Sequence, residues 1–102
     1  RSATVTICHR ETKDLALHTR RADIVITGVG KKDFLTVEMI KEGAIVIDVG
    51  TTKEGHQVLG DAAAEISQQA SLYTPVPGGV GPMTVIMLLK NLVEAKIKAN
   101  NR

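Results

Sequence analysis

The sequence predicts an α/β fold built on a doubly wound, mainly parallel sheet. One observation is that three short apolar, β-branched runs recur, at residues 3–8, 22–27 and 44–49, each reading as a buried strand. The other is their spacing of roughly 20 residues, which leaves room for a helical crossover and is far too long for a hairpin.

Helix-like stretches fill the intervals. Residues 12–21 carry Asp14 in the expected first turn, and residues 36–42 have Thr36 as N-cap and Gly43 as the C-terminal stop. After the third run, turn formers at Lys53, Glu54, Gly55 and His56, with Val58 and Leu59, indicate a loop or small hairpin over residues 51–60. Asp61 is placed to cap an Ala-rich helix reaching about Ala70, and residues 71–74 read as a short fourth strand. A Pro/Gly loop, residues 75–82, then leads into a long helix in which Val85, Leu88, Leu89, Leu92 and Val93 recur at helical spacing. Glu94 and Lys98 form an expected i,i+4 pair there, and the last four residues read as a fraying tail. No internal repeat, linker or low-complexity segment interrupts the chain, so residues 1–102 read as one domain.

Composition narrows the function classes. With 13 Lys+Arg against 11 Asp+Glu the net charge of +2 is too small for a nucleic-acid footprint, and Phe34 and Tyr73 are the only aromatic residues, so no base-stacking platform exists. Cys8 is the single cysteine, which removes an internal disulfide and a Cys cluster for zinc, and it reads as a small buried hydrophobe at a strand end. No apolar run approaches the roughly 20 residues that span a bilayer. A reducing setting is expected, the cytoplasm or, as an alternative, an organelle, with neither nucleic acid nor membrane as partner. His18, on a helix, and His56, in a turn, have no partners at metal-ligand spacing, so no metal site is expected, and no Ser/His/Asp arrangement supplies a catalytic set.

In an open parallel sheet, ligands bind at the carboxyl ends of the strands, which singles out four segments. After the first run, His9, Arg10 and Lys13 stand where a dinucleotide's adenosine ribose would lie; cations there favour NADP over NAD, although Glu11 opposes them. Arg10 is the sharper candidate because guanidinium grips phosphate bidentately. Gly28 and Gly30 half-match a dinucleotide fingerprint, with Asp33 in the third glycine's place, and tight strand-to-helix turns explain them equally well. Asp48, Gly50 and Thr51 follow the third run, where Asp48 serves a turn as readily as a ligand. The fourth segment is the most specific: Gly78, Gly79 and Gly81, hemmed by Pro77 and Pro82, form a side-chain-poor loop feeding a helix N-terminus, and no Gly-Lys-Ser/Thr follows to make it a Walker loop.

The uninterrupted string Thr74-Pro75-Val76-Pro77-Gly78-Gly79-Val80-Gly81-Pro82-Met83-Thr84-Val85 resembles the signature of the methylenetetrahydrofolate dehydrogenase/cyclohydrolase family. Ala3 to His9, Ala22 to Val25, Ile40 to Ala44, Val46 to Gly50 and Leu59 to Asp61 support the resemblance in order, so that it covers nearly the whole chain. It implies a Rossmann-like NAD(P)-binding domain lacking its first strand and helix, from a homodimeric enzyme of one-carbon metabolism. Such an enzyme oxidises methylenetetrahydrofolate with NADP, or less often NAD, and hydrolyses the methenyl product to formyltetrahydrofolate. By resemblance, Pro77 to Val85, including Met83 and Thr84, lines the folate side of the cleft; Arg10 meets the 2′-phosphate or a phosphate ion, and Thr51 the nicotinamide side. The chain departs from the family's pattern at Thr51-Thr52, usually Ile-Asn, and at Ala62-Ala63-Ala64 after Asp61, usually Val-Asp.

The family's N-terminal domain, with its acid/base lysine and tyrosine, has no counterpart here, nor has the glycine-rich pyrophosphate turn; Arg1-Ser2 reads as a remnant of that turn or as a foreign addition. No catalytic residue is therefore assigned, and the chain alone is expected to be inactive. An alternative from another class is a standalone, non-catalytic nucleotide-binding or interaction module of the same fold.

Overall fold

The computed structural model describes residues 2–101; Arg1 and Arg102, the last residue of the expected tail, lie outside them. Strand β1 (Ile24–Thr27) pairs in parallel with β2 (Ile45–Asp48), Ile24 opposite Ile45 and Thr27 opposite Asp48. On its other side β2 pairs in parallel with the short β5 (Leu72–Tyr73), giving the order β1-β2-β5. Helix α1 (Leu15–Arg21) precedes β1, a single 3-10 turn (Val37–Met39) joins β1 to β2, and an antiparallel hairpin of β3 (Thr52–Glu54) and β4 (Gln57–Leu59) follows. Helix α2 (Ile66–Gln69) leads into β5, and α3 (Val80–Asn100) closes the chain. The α/β class and its parallel sheet are as expected, and so are the hairpin and the fourth strand.

The expected strand over residues 3–8 does not form. Val5 is 78% and Ile7 85% exposed, and Cys8 is only half-buried. Its residues suit a strand as well as those of β1, but a strand requires a ladder partner, and the edge of β1 away from β2 is not taken up by this segment.

Two expected helices also shrink. Over residues 36–42 only the 3-10 turn survives, because Ile40 is extended and turned into the core while the Gly43 N–H donates to the Gln69 carbonyl. Thr36 precedes that turn without a side-chain cap bond, and Gly43 turns at φ 82. Over residues 61–70 the helix starts only at Ile66, since Leu35 bonds both the Asp61 carbonyl and the Ala63 N–H and so holds this stretch extended. Asp14 lies just before α1 rather than within its first turn, at φ 50 and without a cap bond. The last helix runs on to Asn100, and its side-chain pair is Lys90–Glu94 at 3.9 Å instead of Glu94–Lys98.

The core sits on one face of the sheet. Val25 and Val46 point into it and meet Leu35, Ile40, Ala44 and Ile66. The opposite face is open: Ile24 and Ile26 are exposed, and Ile45 and Ile47 are half-buried. No residue of α3 is buried; its apolar residues point in all directions and Leu88 is 67% exposed. The radius of gyration, 16.3 Å, exceeds the roughly 13 Å of a compact chain this long because the projecting helix extends the molecule.

Truncating Ile66 to Ala should therefore cost about 2–5 kcal/mol in a denaturant titration, whereas Leu88→Ala should stay within about 0.5 kcal/mol of the parent. Equal losses would place α3 in the core and contradict the one-sided packing.

Candidate functional site

Because the three strands are parallel, the loops after them emerge at one edge. β1 delivers residues 28–31, β2 delivers residues 49–51, and β5 delivers residues 74–79. Hydrogen bonds lock the strand ends together: the Val49 N–H donates to the Thr27 carbonyl at 2.7 Å, and the Asp48 N–H to the Thr74 hydroxyl at 2.8 Å. A cleft of about 780 Å³ opens beside them, lined by Asp48, Gly60, Ala62, Thr74, Pro75 and Val76 among others.

Two buried carboxylates organise this edge. Asp61 Oδ2 accepts from the Thr27 hydroxyl at 2.8 Å and the Val29 N–H at 2.7 Å. Its Oδ1 accepts from the Gly30 N–H at 2.9 Å and the Lys31 N–H at 3.0 Å. Asp48 in turn accepts from the N–H groups of Gly50 (2.9 Å), Asp61 (3.0 Å) and Ala62 (2.9 Å). Burial pushes the Asp61 carboxyl up, but the donors from Val29, Thr27, Lys31 and Gly30 outweigh it and hold the group below the ordinary aspartate range.

Each carboxylate lies against the glycine beside the other. A Cβ on Gly50 would collide with the Asp61 carboxylate, and one on Gly60 with that of Asp48. Asp48 and Asp61 thus act as scaffold at this edge. The sequence carried a trace of this in a glycine close to each aspartate, Asp48-x-Gly50 and Gly60-Asp61, which names the residues but not their contacts.

The expected binding residues are distributed unevenly. Gly28 and Gly30 are exposed on the loop that Asp61 holds, Gly30 at φ 77; Asp33, in the third glycine's place, adopts φ 54, a region glycine would enter without strain. Gly50 is buried with its N–H committed to Asp48, which leaves the exposed Thr51 as that loop's free surface. His9, Arg10 and Lys13 form a separate exposed turn closed by its own bonds, the His9 N–H to the Thr12 hydroxyl at 2.8 Å and the Glu11 N–H to His9 Nδ1 at 3.2 Å. Among the described residues no ion pair holds Arg10 or Lys13.

In the Pro/Gly segment Pro77 and Gly78 are exposed, Gly78 at φ 99, while a Cβ on Gly79 would strike the Pro75 carbonyl. Helix α3 begins at Val80, so Gly81, Pro82, Met83, Thr84 and Val85 belong to its first turns rather than to the loop. Among the described residues no three His, Cys, Asp or Glu side chains lie together as a metal site, and no helix is long and apolar enough to cross a membrane.

The family model "Tetrahydrofolate dehydrogenase/cyclohydrolase, NAD(P)-binding domain" matches residues 1–100. The bifunctional protein FolD of Nautilia profundicola is 61% identical over 95 residues, covering 91% of this chain and 34% of that protein. FolD of Nitratiruptor sp. is 58% identical over 96 residues, covering 93% and 34%. Among solved structures, the bifunctional 5,10-methylenetetrahydrofolate dehydrogenase/cyclohydrolase of Thermoplasma acidophilum matches with a TM-score of 0.92 at 44% identity, over 97% of this chain and 36% of that one. The Trypanosoma brucei methylenetetrahydrofolate dehydrogenase-cyclohydrolase, complexed with NADP cofactor and inhibitor, matches with a TM-score of 0.80 at 44% identity, over 89% and 34%. The chain spans about a third of the length of the curated relatives it matches.

Two results should follow from the paired carboxylates. Gly50→Ala should destabilise by about 1–3 kcal/mol, since its Cβ displaces Asp61, and Gly50→Ala with Asp61→Ala should cost less than the sum of the two singles. The second result concerns pH. A carboxyl whose folded pKa is depressed contributes stability above its unfolded pKa and loses it as pH falls through the folded value. The gap between the parent and Asp61→Asn, about 3 kcal/mol at neutral pH, should therefore close on acidification below the ordinary aspartate range. A pH-independent gap in denaturant titrations would show that the charge is not what the amides bind.

Proposed function

Because the chain belongs to the tetrahydrofolate dehydrogenase/cyclohydrolase family, as its NAD(P)-binding domain, we propose that it supplies the cofactor-binding part of a bifunctional enzyme. That enzyme oxidises methylenetetrahydrofolate, passing a hydride to NADP, and adds water to the methenyl product to give formyltetrahydrofolate. The observation that carries this proposal is the family match across residues 1–100.

The residues fit a 2′-phosphorylated dinucleotide at its two ends. Arg10 and Lys13 are exposed cations on one turn, with His9 beside them, and suit the 2′-phosphate. Gly28 and Gly30 offer exposed backbone on the sheet edge, and Thr51, next to Gly50, offers a hydroxyl for the nicotinamide side. The nicotinamide, when bound, supplies the hydride acceptor; this chain's residues bind and orient it. The segment Pro77 to Val85 presents glycine backbone and the first turns of α3 to the folate.

Reading residues 1–102 as one partial domain also accounts for the bare surfaces. The uncovered sheet face, the free edge of β1 and the whole of α3 suit a domain that works against further protein, such as the rest of a full-length enzyme and its homodimer partner. The cytoplasm and a role in supplying purine biosynthesis fit the same assignment.

NADP should bind this chain more tightly than NAD. Arg10→Ala should remove most of that preference, a loss of about tenfold or more for NADP if one charge-assisted contact of ~1.5–3 kcal/mol disappears. Calorimetric titration with both cofactors checks it, and an equal loss for both would make Arg10 structural. The same chain, given methylenetetrahydrofolate and NADP, should reduce no cofactor, because it offers no placed acid or base, a contribution typically worth 10²–10⁴-fold. Turnover near that of a full-length relative would contradict this division of labour.

A further inference from the structure

Three consecutive N–H groups, those of Val29, Gly30 and Lys31, converge on one point at the sheet's carboxyl edge, an arrangement that elsewhere makes an anion-binding nest for phosphate. Here the nest is full. The fully buried Asp61 carboxylate occupies it, and the Thr27 hydroxyl supplies a fourth donor. We propose that Asp61 is a positioning residue for cofactor binding: it is the resident anion of this nest, so that the loop receives an uncharged face of the dinucleotide and turns the phosphates away.

Asp61 is gripped from both sides. Its N–H donates to Asp48 at 3.0 Å and its carbonyl accepts from the Leu35 N–H at 3.0 Å, so the carboxylate is placed by backbone that is itself pinned. Gly50 and Gly60 leave the space both carboxylates need. A phosphate approaching the amides would find them spent and would face a like charge at close range. What the loop still offers is the exposed backbone of Gly28 and Gly30, which suits a ribose or a ring better than an anion. Glycine here therefore serves close approach and not phosphate binding, although the half-match to a dinucleotide fingerprint points to phosphate. The inference rests on the cofactor-binding assignment above for its ligand, while the filled nest stands on geometry alone.

The experiment follows the backbone amides of the 102-residue chain by NMR, with NADP, inorganic phosphate, formate and formamide as probes, in the parent, Asp61→Ala and Asp61→Asn. In the parent, phosphate should leave the Val29, Gly30 and Lys31 amides unmoved. In Asp61→Ala the same amides should respond to phosphate and to formate. NADP affinity, reduced at least tenfold, should recover several-fold with formate and not with formamide. A side chain that only fills space would be replaced equally well by formamide.

Parent amides that respond to phosphate, a variant that binds NADP like the parent, or equal rescue by both additives would each overturn the proposal. Should Asp61→Ala fail to fold, Asp61→Asn keeps the volume and removes the charge, and unchanged amide shifts with unchanged NADP affinity in it would be equally fatal. A parent that binds no NADP contradicts the assigned function, and the phosphate and formate titrations then decide the nest by themselves.

Discussion

The carboxyl edge of this sheet depends on a buried negative charge. Asp61 ties the loop after β1 to the segment after the hairpin, and Asp48, at the end of β2, holds Asp61 in register. Removing Asp48 leaves buried amide donors without acceptors, and removing Asp61 leaves partly buried ones, which costs more than the bonds contribute when made. The two glycines leave the space these carboxylates need, and the backbone bonds of Leu35 to Asp61 and Ala63 keep the stretch extended and delay the start of α2. An Asp61 used as a helix cap would free the Gly28 to Lys31 loop; used as it is, it shortens the helix and fixes the loop.

The remainder of the molecule is held lightly. One face of three strands carries the core, and the other face, the outer edge of β1 and all of α3 are bare. An apolar helix with no buried residue contributes nothing to the core on which it is mounted, so the stability of the candidate site is set by the Asp48 and Asp61 network and by Val25, Leu35, Ile40, Val46 and Ile66. This division leaves the carboxyl edge formed in advance and the other apolar surfaces uncovered.

Local signals in the sequence were sufficient where the structure is local or where burial follows from composition. β1 and β2 are legible as β-branched runs with crossover spacing, the hairpin from Gly55 and its neighbours, and α3 from apolar residues recurring at helical spacing. The glycine-rich signature, carrying the resemblance to the family, was legible as well. What was not legible depends on partners distant in sequence. Residues 3–8 have the composition of a strand yet pair with neither edge of the sheet; residues 36–42 have a helix start and stop, yet the need to bury Ile40 prevails. Asp61 reads as a cap because its true partners lie 30 to 34 residues upstream. Such a network is invisible to periodicity, since only the fold brings its donors to one carboxylate.

With its amides bound to Asp61, the Gly28 to Lys31 loop is a fixed part of the sheet edge rather than a flexible connection. Amide hydrogen exchange measures this directly. The Val29, Gly30 and Lys31 amides should exchange as slowly as those of the β1–β2 ladder, because opening them requires Asp61 to leave its pocket. Exchange as fast as that of the exposed Gly55 turn would mean that the carboxylate does not hold the loop and that the sheet edge is not built on its charge.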